Sequence, residues 1–245
     1  MTRDLSLILI PGLLCDERIW RAQRAALANM GEVSIAEHDL TDSLPGIARR
    51  ILATAPARFA LAGHSMGGRI ALEVFRAAPE RIAGIALMDT GHHPLQPGEP
   101  GKREAEGRFA LLAKAKSEGM RAMANDWVQG MVHPSRLGNQ ALIDEILDMF
   151  EAKSTDLYAA QIHALLNRPD ATPLFGLIRC PALILCGADD SWAPAPRHRA
   201  MAAAIADSTL AEIPECGHMS TMECPHAVSE AMRGWLQRVI DRRAA

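Results

Sequence analysis

The sequence predicts an α/β protein with a mostly parallel sheet of about six strands, helices on both faces of the sheet, and an inserted all-helical segment. Short apolar runs typical of buried strands alternate with amphipathic helical segments in both the first and the last part of the chain. A Gly-His-Ser-Met-Gly turn at residues 63–67 joins one of these strands directly to a helix. Between about residues 103 and 168 the alternation stops and the apolar spacing is helical only.

Length, composition and charge narrow the class of protein. A chain of 245 residues suits one α/β domain, or a core with a modest insertion. The net charge of −3, without a basic block, argues against a nucleic-acid partner. No apolar run reaches the roughly 18 residues of a membrane span, so no membrane association is expected. Five cysteines without metal-site spacing favour a reducing, cytoplasmic location.

The alternating part of the chain is predicted to form the core, at residues 1–93 and 171–245. Its strands are predicted at residues 5–10, 32–39, 58–62, 82–88, 182–186 and 208–213. Five helices are predicted in this core. One follows a Ser43 cap and has Pro45 in its first turn, and another lies between Ser65 and Pro79. The other three are predicted at residues 17–29, 197–206 and 227–240. Strands separated by helices indicate a parallel sheet that is covered on both faces.

The break in the alternation predicts a helical cap at residues 94–170. Residues 94–101 contain three prolines and two glycines, a composition typical of a linker. The apolar residues that follow recur at the spacing of four helices, and no strand-like run interrupts them. An all-helical block inserted once between strands is therefore interpreted as a cap, or lid, over the core.

The turn at residues 63–67 indicates a candidate nucleophile, Ser65. A G-x-S-x-G sequence between a strand and a helix forces the serine into strained backbone angles and lifts its hydroxyl above the sheet. The chain crowds itself at such a turn, so Gly63 and Gly67 are expected to be required for their missing side chains. The helix N-terminus that follows favours developing negative charge.

A serine hydroxyl is a poor nucleophile at neutral pH and needs a base. Ligands of open α/β sheets bind at the carboxyl ends of the strands, where His218 follows the last predicted strand and Asp190 the one before it. Asp190 can accept a hydrogen bond from the imidazole and hold its tautomer. Asp189 is interpreted as solvated or structural, and His64 as a packing residue beside the turn.

These motifs together resemble the α/β-hydrolase superfamily, in its compact capped esterase and lactonase branch. They are Gly63-His64-Ser65-Met66-Gly67-Gly68, then Gly187-Ala188-Asp189-Asp190 with Pro194, then Gly217-His218, in the order Ser, Asp, His. The resemblance covers essentially the whole chain and implies an α/β-hydrolase fold. It places the catalytic acid at Asp190, the fourth residue of a G-x-x-D segment.

The resemblance also implies an oxyanion hole made of two backbone N–H groups. One belongs to the residue after the nucleophile, Met66, and the other to Leu13. The usual His-Gly pair of the family is Pro11-Gly12 in this chain. Because the hole uses backbone groups, it is expected to persist despite the missing histidine.

The function that the resemblance implies is hydrolysis of a small carboxylic ester, lactone or thioester through an acyl-enzyme on Ser65, without a metal or an organic cofactor. An acyltransferase or a carbon–carbon bond hydrolase would use the same residues, and a ligand-binding receptor on a hydrolase shell is the alternative from another class. The expected partner is a small-molecule substrate, while the oligomeric state stays open. Trp127, Met131 and Trp192 are candidate pocket residues in a mainly apolar pocket without an evident arginine clamp.

Overall fold

The computed structural model describes residues 5–244, and within them six parallel strands form one sheet. The strands are β1 (Ser6–Ile10), β2 (Glu32–Ile35), β3 (Phe59–His64), β4 (Ile82–Met88), β5 (Ala182–Gly187) and β6 (Ser208–Ile213). Their order is β2-β1-β3-β4-β5-β6, and every neighbouring pair is parallel. This sheet confirms the predicted α/β architecture.

The helices connect successive strands and cover the sheet. In the described part of the chain they are α1 (Arg21–Leu27), α2 (Leu44–Thr54), α3 (Met66–Ala77), α4 (Glu99–Glu118), α5 (Met120–Trp127), α6 (Gln140–Glu151), α7 (Thr155–Leu166), α8 (Ala195–Ala204), α9 (Ser220–Glu223) and α10 (Pro225–Ala244). Short 3-10 helices lie at Glu17–Trp20, Pro79–Arg81, Val128–Gly130, Pro134–Arg136 and Thr172–Leu177. Helix α2 contacts α3, and α1 contacts α10.

The core is centred on the middle strands. Every residue of β3, β4 and β5 is buried. Edge strand β2 alternates between exposed and half-buried positions, and edge strand β6 is exposed or half-buried except at its last residue, Ile213. Central parallel strands are shielded from solvent on both faces, which explains their continuous apolar sequences. Burial of apolar surface is worth about 25 cal/mol per Å², so these three strands contribute to the stability of the fold.

The position of the site follows from the strand order. The chain adds β2 on one side of β1 and then adds β3 to β6 on the other side, so the order reverses between β1 and β3. Ile10 and Gly63 are paired in register. The loop after β1 and the turn after β3 therefore lie side by side, at the kind of crevice where α/β sheets bind ligands.

Some predicted element ends were wrong. The second strand stops at Ile35 and not at residue 39, because Pro11 has no N–H with which β1 could continue the ladder. His38 instead turns toward β1, where its Nε2 donates to the Pro11 carbonyl oxygen at 2.9 Å. The first helix opens as the 3-10 turn Glu17–Trp20, and the last helix is longer than predicted, from Pro225 to Ala244.

The helices α4 to α7 lie between β4 and β5, and their number agrees with the apolar periodicity. The first of them begins after Gly98, whose φ of 72° lies in the left-handed region that favours glycine. The division into a core and a separate cap at residues 94–170 stays a prediction. None of the helices described is long and apolar enough to cross a membrane.

Candidate active site

The turn after β3 holds Ser65 in a strained conformation, with φ 56° and ψ −115°. A Cβ atom on Gly63 would lie 2.1 Å from the Gly67 carbonyl oxygen, and one on Gly67 would lie 2.1 Å from the carbonyl oxygen of Ile10. Neither position has room for a side chain. The backbone strain and the need for both glycines agree with the prediction for a strand–turn–helix serine.

Three side chains from three loops form one hydrogen-bonded chain. Ser65 Oγ lies 2.9 Å from His218 Nε2, and His218 Nδ1 lies 2.8 Å from Asp190 Oδ2. An ionised carboxylate only accepts, so Nδ1 carries the hydrogen and Nε2 has a free lone pair toward the serine hydroxyl. The structure thus brings together the three residues that the sequence singled out, and the arrangement can take a proton from Ser65.

The electrostatics of His218 and Asp190 favour the charged pair. Burial by itself lowers the pKa of His218, but the charge of Asp190 and its hydrogen bond raise it above the ordinary value. Burial likewise raises the pKa of Asp190, but the attraction of His218 and the N–H groups of Trp192 and Ala193 hold it below the usual range. Asp190 is therefore the ionised partner of the imidazole at neutral pH.

A second buried carboxylate, Asp89, lies next to this chain of groups. It follows β4 directly, with φ 47°, and its Oδ1 accepts the N–H of Gly187 at 2.9 Å. Its Oδ2 accepts the hydroxyl of Ser220. Burial and the charge of Asp190 raise the pKa of Asp89 well above its ordinary value. Sequence reasoning missed Asp89, although a polar residue directly after a buried strand was an available signal.

His64 does more than the packing expected of it. It is buried, and its Nε2 donates to the carbonyl oxygen of His218 at 2.7 Å. Burial and the charge of His218 lower the pKa of His64 to about 3, so the ring stays neutral. The residue before Ser65 therefore holds the backbone of the residue that faces Ser65.

The loop that carries His218 is tied to the inserted helical segment. The N–H of His218 donates to the carbonyl oxygen of Met131 at 2.8 Å. The buried Glu223 carboxylate accepts the backbone N–H groups of Gly217 at 3.0 Å, Met219 at 3.0 Å and His133 at 2.7 Å. One carboxylate thus joins both neighbours of His218 to the segment between α5 and α6. No local sequence signal indicated Glu223.

The two candidate oxyanion donors border the same cavity as Ser65. Met66 is the first residue of α3, so its N–H has no acceptor within the helix. Gly12 lets the loop that carries Leu13 pass close to the serine, since a Cβ on Gly12 would lie 3.2 Å from Ser65 Cβ. We therefore keep Leu13 and Met66 as the candidate donors.

A side chain of the inserted helical segment holds the loop that carries Leu13. Leu14 has φ 59°, and its N–H donates to Oε1 of the buried Gln161 at 2.9 Å. Gln161 lies on α7, 147 residues further along the chain. Sequence reasoning missed Gln161 because a contact between such distant positions leaves no local pattern.

The cavity has a volume of about 360 Å³, and Trp127, Met131 and Trp192 all line it, together with Phe150 and Tyr158. The ring centroids of Trp127 and Trp192 are 5.2 Å apart in a stacked arrangement, and Trp192 lies 4.9 Å from the His218 ring. The lining is not purely apolar, however, because four arginines also border the cavity, at positions Arg69, Arg103, Arg108 and Arg197. No arginine clamp was evident from the sequence, and these arginines come together only in the folded chain.

In the part of the chain that the structure describes, no three or more His, Cys, Asp or Glu side chains are arranged as metal ligands. The histidines at the site are instead held by protein groups, with His64 on a carbonyl oxygen and His218 between Asp190 and Ser65.

Known proteins share this arrangement of elements. The esterase from Thermogutta terrifontis, solved with malate bound, is 27% identical, with a TM-score of 0.83 over 96% of this chain and 90% of that one. The enol-lactonase of Burkholderia xenovorans LB400 is 24% identical, with a TM-score of 0.81 over 95% and 91% of the two chains, which shows the shared fold. RutD of Klebsiella pneumoniae, a proposed carbamate hydrolase, is 26% identical over 95% of this chain and 91% of that protein.

The sequence profile of the alpha/beta hydrolase family matches residues 7–231. That match covers the sheet from the second residue of β1 onward, and it includes the Ser65 turn, Asp190 and His218. The chain belongs to the alpha/beta hydrolase family.

Proposed function

We propose that this protein hydrolyses small carboxylic esters through an acyl-enzyme on Ser65, with His218 as the base and Asp190 as the acid. The observation that carries the proposal is the continuous chain of hydrogen bonds from Ser65 through His218 to Asp190, which opens onto a cavity of about 360 Å³. An esterase among the structural relatives supports the same class of substrate.

In the first step Ser65 Oγ attacks the acyl carbon while its proton passes to His218 Nε2, 2.9 Å away. The imidazolium that forms is stabilised by Asp190, and the two backbone N–H groups on the other oxygen of that carboxylate keep it in place. The buried His64 and Glu223 hold the backbone around His218, so the ring need not reorganise during the transfer.

The N–H groups of Leu13 and Met66 would stabilise the negative charge that develops on the carbonyl oxygen of the substrate. Such donors act strongly because they are oriented before the reaction and lie in a cavity of low dielectric. His218 then returns its proton to the leaving alcohol. Water enters, gives a proton to His218 and cleaves the acyl-enzyme, which restores the Ser65 hydroxyl.

We further propose that residues 94–170 act as a cap that sets the choice of substrate. The inserted segment supplies Trp127, Met131, Phe150 and Tyr158 to the lining of the cavity. The three groups that carry the chemistry lie outside it. The cap also supports the chemistry, because Met131 and Gln161 hold the loops of His218 and Leu13.

The test uses p-nitrophenyl butyrate and a fluorophosphonate probe on the purified protein. The wild type should turn over the ester and gain one covalent label at Ser65, identified by peptide mass spectrometry. Ser65→Ala should lose the label and lower kcat by about 10⁴-fold or more, as does loss of a catalytic nucleophile in other serine enzymes. Ser117→Ala, an exposed serine on α4, is the matched control and should behave like the wild type.

A label that persists in folded Ser65→Ala would contradict the assignment of the nucleophile. Labelling without turnover of any ester would favour the binding-protein alternative. Turnover that releases p-nitrophenol much faster when an alcohol is added, with a new ester as product, would favour acyl transfer. Circular dichroism on each variant separates these outcomes from loss of the fold.

A further inference from the structure

Two arginine side chains converge at one point in the wall of the cavity. Gly91, two residues after Asp89, is buried and borders the cavity. A Cβ atom on Gly91 would lie 2.7 Å from Arg69 Nη2 and 3.1 Å from Arg197 Nη1. The two guanidinium groups thus meet over the same glycine, although they come from α3 and α8.

The partners of both guanidinium groups are backbone carbonyl oxygens. Arg69 Nη1 donates to the His93 carbonyl oxygen at 2.9 Å, and Arg197 Nη1 donates to the Trp192 carbonyl oxygen at 3.3 Å. Among residues 5–244, no carboxylate lies within ion-pair distance of Arg69 or Arg197. Both groups therefore keep donors that are not used by an acid.

Two acidic side chains border the cavity, and both are already held by other groups. Asp89 accepts the Gly187 N–H and the Ser220 hydroxyl. Glu104 accepts Arg168 Nη1 and Nη2 at 2.8 Å each and Arg108 Nη2 at 2.9 Å. Two positive charges thus share one negative charge at Glu104. This pairing leaves Arg69 and Arg197, with the exposed Arg103, as an excess of positive charge on the wall.

The crowding of cations is visible in the electrostatics of Arg69. Burial and the charges of Arg168 and Arg197 lower the pKa of its guanidinium to about 9, so it stays charged at neutral pH. Burial of His92 and the charges of His93, Arg69 and Arg197 lower the pKa of His92 to about 4. A half-buried cation without a counter-ion is less favourable than one paired with an acid, and a bound anion would reduce that cost.

We infer that Arg69 and Arg197 bind a carboxylate of the substrate, so that the preferred substrates are esters bearing a second, free carboxylate. This inference rests on the ester hydrolysis proposed above. The planar guanidinium presents paired donors that match a carboxylate. Arg69 lies one helical turn after Ser65 on α3, so the bound anion and the reacting ester share one small cavity.

The experiment compares two p-nitrophenyl esters of equal acyl length, the monoester of adipic acid and its methyl-capped neutral analogue. The wild type should prefer the anionic ester in kcat/KM by about 10- to 100-fold, the effect of charge-assisted hydrogen bonds in a partly buried site. Arg69→Gln and Arg197→Gln should each remove most of that preference, measured as the ratio of kcat/KM for the two esters, in which any effect common to both esters cancels. Arg69→Lys keeps the positive charge but not the paired donors, so this variant should lose part of the preference for the anionic ester.

Arg199→Gln is the matched control, because Arg199 lies two residues after Arg197 on the same helix but is exposed and paired with Glu212. It should keep the full preference. In the wild type the preference should shrink at 1 M sodium chloride, since salt screens the attraction of the anion. A second pair, the acetyl esters of a hydroxy acid and of its amide, shows whether the carboxylate belongs to the acyl or the alcohol side.

Calorimetry separates the inference from the proposed function. Glutarate should bind Ser65→Ala protein, and binding should weaken by at least about tenfold when Arg69→Gln is added. Equal rates on both members of both ester pairs, unchanged in the arginine variants, would overturn the inference and leave ester hydrolysis intact. If no ester is turned over, the proposed function is wrong, and glutarate binding alone then supports or overturns the anion site.

Discussion

His218 Nδ1 lies 2.8 Å from Asp190 Oδ2, while the other oxygen of that carboxylate accepts the N–H groups of Trp192 and Ala193. Both oxygens of Asp190 are thus in use. Its neighbour Asp189 has a half-exposed side chain whose Oδ2 lies 3.7 Å from His133 Nε2. The two consecutive aspartates therefore occupy different environments, and of the two it is Asp190 that contacts the His218 ring.

Asp190→Asn should lower kcat by about 10⁴-fold, because an amide can present its NH₂ group to His218 and favour the wrong tautomer. Asp189→Asn is the matched control and should change kcat by less than about threefold, as expected of an exposed group. Steady-state kinetics on p-nitrophenyl butyrate, with circular dichroism of both variants, makes the comparison. The reverse ranking in folded proteins would place the acid at Asp189.

The pH dependence of activity should follow the pKa of His218. The base works only when neutral, and Asp190 raises its pKa above the ordinary value, so kcat/KM should rise with pH and have its midpoint above about 6.5. Asp190→Asn removes the charge that raises this pKa, and the residual activity should have its midpoint at lower pH. Rates from pH 5 to 9 measure both curves.

Chelation gives an independent check on the chemistry of the site. EDTA should leave the pH profile unchanged, because the proposed reaction uses side chains and backbone N–H groups only. The measurement is kcat/KM before and after dialysis against EDTA. Loss of activity that zinc restores would instead indicate metal-assisted hydrolysis and leave Ser65 without its proposed role.

Gln161 should support the rate from outside the reacting groups. Gln161→Met removes the acceptor of the Leu14 N–H and leaves that group buried without a partner, at a cost of about 1–3 kcal/mol in unfolding free energy. The freed loop should misplace the Leu13 donor and lower kcat on the order of tenfold, with a smaller change in KM. Gln129→Met, an exposed position after α5, is the control. An unchanged kcat would show that the Leu13 loop keeps its position without Gln161.

Trp127 should set the size of the acyl group that the cavity accepts. It stacks on Trp192, which in turn contacts the His218 ring, so Trp127→Leu enlarges the cavity close to the reacting groups. The preferred p-nitrophenyl ester should shift to a longer acyl chain, while fluorophosphonate labelling of Ser65 continues. Phe109→Leu, at an exposed position on α4, is the control. An unaltered ranking of acyl lengths would argue that the inserted helices do not select the substrate.

Features that depend on neighbouring residues could be predicted from the amino-acid sequence. The apolar runs predicted the strands, and the glycines of residues 63–67 predicted the strained turn, because steric crowding there is local. The positions of Ser65, Asp190 and His218 after predicted strands, together with the resemblance to the family, predicted that they meet. All parallel strands point their carboxyl ends to one edge of a sheet, so residues after those ends converge whatever the details of packing.

The distant groups that support the site could not be predicted in this way, because the folding of the whole chain brings them together. Gln161 meets Leu14 across 147 residues, and Arg69 and Arg197 converge on Gly91 from two different helices. Such contacts depend on how each helix is rotated and placed against the sheet. Many side chains packed at once set that placement, and no spacing within a single segment encodes it.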